Sequence, residues 1–178
     1  MNNANPRKLA DVPAGELVTI GDHEMIVLEQ TGSETMLLRK DLLKKNCSFG
    51  KNNNYNGSSV DGICNEFAKE IAAVVGEENV VLHDVDLTAH DGLKDYGTIQ
   101  RKASLLTTAL AQRFVALLDK FMLDAWWWLA TPLSTPAHGC ALWVECVSPS
   151  GRIHDGGHYD IVLGVRPFCI LKSNIFVS

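Results

Sequence analysis

The sequence predicts an α+β domain made of two helices and short antiparallel strands. Three observations carry that expectation. Residues 16–39 hold short apolar runs separated by Gly21-Asp22 and Thr31-Gly32-Ser33, the mark of strands joined by tight turns. Apolar residues then recur at three- and four-residue steps in two central stretches, as an amphipathic helix requires. Beyond residue 140 the strand pattern returns, in ALWVECV (141–147) and VRPFCIL (165–171). Helices in the middle with strands at both ends is an α+β order.

Taken in order, residues 1–14 (MNNANPRKLADVPA) are polar and proline-punctuated and read as a flexible lead-in, leaving 15–178 as one domain. ELVTI (16–20) and EMIVLEQ (24–30) form a hairpin, and TMLLR (35–39) adds the third strand of a meander. KKNCSFGKNNNYNGSS (44–59) has no hydrophobic period, is dense in Asn, Gly and Ser, and reads as a loop. Ser58 or Ser59 then caps the first helix. Its apolar side is Val60, Ile63, Cys64, Phe67, Ile71, Val74 and Val75, and Gly76 ends it. NVVLHDVDL (79–87) is a strand running into a turn at His83, Asp84 and Asp86, and His90-Asp91 sits in a solvated loop. The second helix covers 98–118, with Leu105, Leu106, Ala109, Leu110, Phe114, Leu117 and Leu118 on its apolar side.

WWWLATP (126–132) follows. Consecutive tryptophans bury a very large apolar area, and with Leu129 and the apolar 117–123 region beside them they read as a core anchor, not an exposed sugar platform, with room for one of the three to be partly exposed. In ALWVECV, Leu142, Val144 and Cys146 face one way and Trp143, Glu145 and Val147 the other. The turn at 148–151 makes this one arm of a hairpin, Gly156-Gly157 interrupts the next run as a loop, and VRPFCIL is the closing strand.

Composition excludes several function classes. At 178 residues the chain forms one domain that buries roughly 70% of its unfolded surface. A net charge of −5 argues against a nucleic-acid partner held through phosphates. No apolar run approaches a membrane span, and residues 1–15 lack the hydrophobic core of a signal peptide, so neither a span nor export by that route is expected. Cys47, Cys64, Cys140, Cys146 and Cys169 form no CxxC pair; five free thiols are expected, Cys64 and Cys169 in the core and Cys140 and Cys146 in an exposable segment.

Between the anchors lies a polar assortment with no catalytic order: His138, Cys140, Trp143, Glu145, Cys146, His154, Asp155, His158, Tyr159 and Asp160. His154, Asp155, His158 and Asp160 have residue types that ligate zinc, but no HExxH-like motif accompanies them, and Glu145, Asp155 and Asp160 are too scattered for a calcium site. No metal and no cofactor is expected. A Cys–His hydrolase built on Cys140 or Cys146 with His138 or His154 lacks a marked base and oxyanion site, so no enzyme is expected.

WWWLATP, a hairpin turning at Gly151, and GVRPF (164–168) together resemble a bacterial and phage domain family of C-type-lectin-like fold, whose members read WWLRSP at the first anchor and GVRP at the second. IGDHEMIVLEQTGSETMLLRKDLL (20–43) is similar to that family's opening meander, and NNNYNGSSVDGICNEF (52–67) to its loop and first helix. Ala130 and Thr131 depart from the family's Arg and Ser. The ending GVRPFCILKSNIFVS resembles the variable proteins of diversity-generating retroelements, in which a reverse transcriptase rewrites the 3′ end of the gene through errors at template adenines.

The resemblance implies a ligand-binding display protein with a variable region at about 126–168 and a binding face at 137–163. Asparagine codons altered at adenine can become His, Asp, Tyr, Cys, Leu, Gly, Ser or Arg, but not Trp or Glu. His138, Cys140, Leu142, Cys146, His154, Asp155, His158, Tyr159 and Asp160 are reachable that way. Trp143 and Glu145 are either fixed or derived from another template codon. The implied ligand is a protein or carbohydrate, and the implied place of display is a virion or, by a non-standard route, a cell surface. The alternatives are an invariant adhesion or phage-tail structural domain of the same fold and, third, an enzyme of the formylglycine-generating type, whose copper-binding cysteine pattern Cys140 and Cys146 do not match.

Overall fold

The computed structural model describes residues 6–178. Its strands are β1 (Arg7–Lys8), β2 (Leu17–Ile20), β3 (His23–Thr31), β4 (Glu34–Arg39) and β5 (Lys44–Ser48), followed by the helix α1 (Ser59–Val75). Next come β6 (Val80–Val81), β7 (His83–Asp86), β8 (Thr98–Arg101) and β9 (Ala103–Leu105), then the short helices α2 (Thr108–Arg113) and α3 (Val115–Leu118). The last part holds β10 (Trp127–Pro132), β11 (Trp143–Val147), β12 (Ile153–His158), β13 (Val162–Val165), β14 (Pro167–Lys172) and β15 (Phe176–Val177). The class is α+β, as predicted.

Two main sheets organise these strands. The meander β2-β3-β4 continues into β14, whose other edge takes both β6 and β9. The second sheet runs β12-β11-β10-β13-β5, with β10 and β13 parallel and the other neighbours antiparallel. Helix α1 bridges the two. Its Phe67 and Ile71 pack with Met25 and Leu37 of the meander, while Val60 and Cys64 pack with Trp128 and Val144 of the second sheet. A third cluster joins Phe114 and Leu118 to Trp127, Leu129 and Phe168. The helix ends follow the sequence: Ser58 Oγ accepts from the Asp61 N–H at 3.1 Å, and Gly76, at φ 92°, closes the C-terminus in a conformation glycine favours.

The two anchors are explained by this arrangement. Trp127 and Trp128, neighbours on one strand, point to opposite faces of the second sheet and so fill two different clusters. Trp128 Nε1 donates to the Cys47 carbonyl at 2.8 Å. Arg166 of GVRPF is 1% exposed and lies over the Trp127 ring. Its guanidinium donates to the carbonyls of Arg39 (2.9 Å), Lys40 (2.7 Å) and Phe121 (3.1 Å), pinning the end of β4 and the segment after α3 to β13 and β14. Burial pulls its pKa down to about 10.

Five expectations are corrected. Residues 1–5 of the predicted lead-in lie outside the described residues, but the rest of it is built in. Leu9 and Val12 are fully buried, Gln30 Nε2 donates to both their carbonyls, and β1 pairs with β15. Residues 44–48 form β5 against β13; three of its five side chains are exposed, so no alternation marks it. The strand predicted over 79–87 splits into β6 and β7, which belong to different sheets.

The helix predicted over 98–118 begins only at Thr108. Thr107 Oγ1 caps it, while 98–101 pair with β7 and 103–105 with β14. Finally, β12 continues through Gly156-Gly157. A Cβ at Gly157 would stand 2.5 Å from Trp128 Cζ3, so the strand can cross the tryptophan only without a side chain.

Candidate functional site

The predicted face is carried on the β12 edge of the second sheet and the two loops beside it. Trp128 pairs with Cys146, which pairs with His154, so these three share a sheet face. Between Cys146↔His154 and Val144↔Gly157 the register slips, with three steps on β12 matching two on β11. The slip releases Asp155 and Gly156 to solvent.

Two groups of predicted residues come together on this edge. In the first, the Trp143 and His158 rings meet edge to face at 5.1 Å, and His158 stacks on Tyr159 at 4.7 Å. Tyr159 N–H donates to the carbonyl of the exposed Leu142 at 2.9 Å, and His158 Nδ1 is bonded to Asp160. In the second, His154 packs on Trp126 at 4.9 Å beside a groove of about 330 Å³, with Cys146 at its floor and Asp155, Ile161 and Leu163 around it. Trp126 is 41% exposed, the one of the three tryptophans that the core leaves partly open.

His138 and Cys140 stand apart from these groups, in the loop between β10 and β11. His138 Nδ1 and Ser134 Oγ both contact Asp91 Oδ2, at 2.9 and 2.5 Å, and Thr135 Oγ1 donates to Asp95 at 2.7 Å. The Ser134 hydroxyl holds the Asp91 carboxyl below its ordinary range, aided by the Leu93 N–H and His138. Beneath the loop, the fully buried Asn53 ties its two ends. Its Nδ2 donates to the Ser134 and Trp143 carbonyls at 2.9 and 3.1 Å, its backbone N–H to Ala141, and its Oδ1 accepts from Tyr96 at 2.7 Å.

Two predicted face residues are not on the surface. Glu145 is 1% exposed, with one carboxylate oxygen 2.5 Å from His90 Nδ1 and the other taking the Thr108 hydroxyl. It faces α2 because the β11 strand is covered on both sides. Cys146 is 2% exposed, and burial pushes its thiol up to about 11. A thiol with that pKa is protonated at neutral pH and makes a poor nucleophile. Among the described residues, no three His, Cys, Asp or Glu side chains converge as a metal site.

Reading the sequence missed Asn53, His90, Asp91 and Ile161. Asn53 is hidden in a run of asparagines. The partial exposure of one tryptophan did leave a signal, since three successive tryptophans on a strand cannot share one buried face. Compared with family models, with curated proteins and with solved structures, the chain matches none.

Proposed function

We propose that this chain is a ligand-binding display protein of C-type-lectin-like fold, whose face at 137–163 is diversified by a retroelement. The observation that carries the reading is how exposure is distributed within that segment. Of the adenine-reachable residues, His138, Leu142, His154, Asp155 and Asp160 are exposed, Cys140, His158 and Tyr159 half-buried and only Cys146 buried, with Trp143 exposed beside them, on strands anchored by the buried Trp127, Trp128 and Arg166. Glu145, which adenine changes in an asparagine codon cannot produce, is buried and doubly bonded, as a fixed residue would be. Variation in such a place leaves the fold intact, because exposed side chains away from caps and networks contribute little to stability. The Trp143–His158–Tyr159 stack supplies large contact area at low rotamer cost, the usual source of interface energy.

The test is an array of glycans and surface proteins probed with the chain and with a variant of the exposed Trp143, Trp143→Ala. The reading expects a bound ligand that the variant loses while keeping its melting temperature. A ligand held equally by both chains would refute the face. A second reading, an invariant adhesion or tail domain, draws on the exposed Val74 and Phe176, which line one hollow away from this face. That reading expects self-assembly that Phe176→Ser abolishes.

A further inference from the structure

We infer that the groove beside Trp126 receives a lysine or arginine side chain presented by a partner protein; this rests on the binding face proposed above and names what one part of it recognises. The argument begins with charge. Three carboxylates on or under this face are matched within the chain: Glu145 by His90, Asp91 by His138 and Asp160 by His158. Asp155, which lines the groove, has no cationic partner among the described residues. A single unmatched carboxylate lining a mostly apolar hollow favours a positive group with an apolar stem.

The walls fit that stem. Ile161 and Leu163 present aliphatic surface, and the Trp126 indole, 41% exposed, presents an aromatic one. Lysine and arginine bury their methylenes along such surfaces while the charged end stays near water. A cation near an indole face gains further attraction. Gly156 contributes by what it lacks: a Cβ there would meet nothing within 4 Å, so the strand beside Asp155 is open to an approaching chain. His154 packs on the Trp126 ring at 4.9 Å and also lines the groove. The protein's net charge of −5 favours the approach of a basic partner to the molecule as a whole.

The experiment titrates the ¹⁵N-labelled full chain with the N-acetyl amides of arginine, lysine, norleucine and glutamate, following the Trp126 indole N–H and the amides of 155–157. Arginine and lysine amides should shift these signals and bind about fivefold tighter than norleucine amide, which has the stem without the charge. Asp155→Asn, which keeps shape and exposure, should reduce both basic probes to the norleucine level. Norleucine binding as well as lysine, a preference for glutamate, silence at Trp126 with every probe, or an Asp155→Asn chain that binds basic probes unchanged would each overturn the inference. None of those results touches the diversified face itself, which is judged by ligand arrays and by the gene's 3′ end.

Discussion

Replacing Asn53 with alanine should loosen the loop that carries His138 and Cys140 and cost the domain a measurable share of its stability. The side chain is fully buried and makes three hydrogen bonds, to the Ser134 carbonyl, the Trp143 carbonyl and the Tyr96 hydroxyl. At about 1 kcal/mol for each bond, and more for each buried carbonyl left without a donor, Asn53→Ala should cost roughly 3–5 kcal/mol. Asn53→Asp keeps the acceptor for Tyr96 but turns an oxygen toward two carbonyls, so it should be at least as damaging. Tyr96→Phe removes one bond at a half-buried site and should cost about 1 kcal/mol. Urea unfolding gives the three values, and amide exchange should rise across 134–143 in the alanine variant. An Asn53→Ala chain within about 1 kcal/mol of wild type, or no more destabilised than Tyr96→Phe, would refute the role assigned to Asn53.

Other substitutions separate scaffold from face. Gly157→Ala places a methyl 2.5 Å from Trp128 and should cost about 1–3 kcal/mol in chemical unfolding, while Gly156→Ala, facing open space, should be near neutral. His154→Ser, His158→Asn and Asp160→Asn should each stay within about 0.5 kcal/mol of wild type in the same assay. His83 makes stability pH-dependent: burial lowers its pKa from 6.5 to about 4, so the unfolded chain takes up the proton first. The contribution is complete above pH 6.5, falls away as pH drops toward 4, and amounts to roughly 3 kcal/mol. Urea midpoints at pH 7 and 4.5 should therefore diverge more for wild type than for His83→Gln; parallel curves would contradict this.

Several elements were legible from local pattern alone. The meander over β2, β3 and β4, the capped helix α1 between Ser58 and Gly76, and the β11–β12 hairpin all follow from alternation, period and turn residues close in the chain. Local pattern failed where the partner is distant. Leu105 and Leu106 continue the apolar period of α2 backwards, yet they belong to β9 and the connection after it because β14 and the second sheet cover them. In β12 the glycines read as a breaker, and only the position of Trp128 turns them into a requirement. Glu145 looks outward in an alternating strand until α2 and His90 are brought over it. Of the candidate face residues, all but Glu145 and Cys146 lie exposed or half-buried. The organisation of the face was not legible, because the Asn53 hub and the Trp126 groove arise from contacts that no spacing encodes.

The measurement that tests the account most directly is the DNA sequence flanking the gene, read together with the same locus from sibling isolates. The account predicts a near-copy of the 3′ end beside a reverse transcriptase gene, with substitutions confined to adenine-templated codons within 137–163. They should fall at exposed positions such as His154, Asp155 and Asp160, and spare Glu145, Trp127, Trp128 and Arg166. An invariant locus without a template repeat, or changes spread equally over buried and exposed codons, would contradict it.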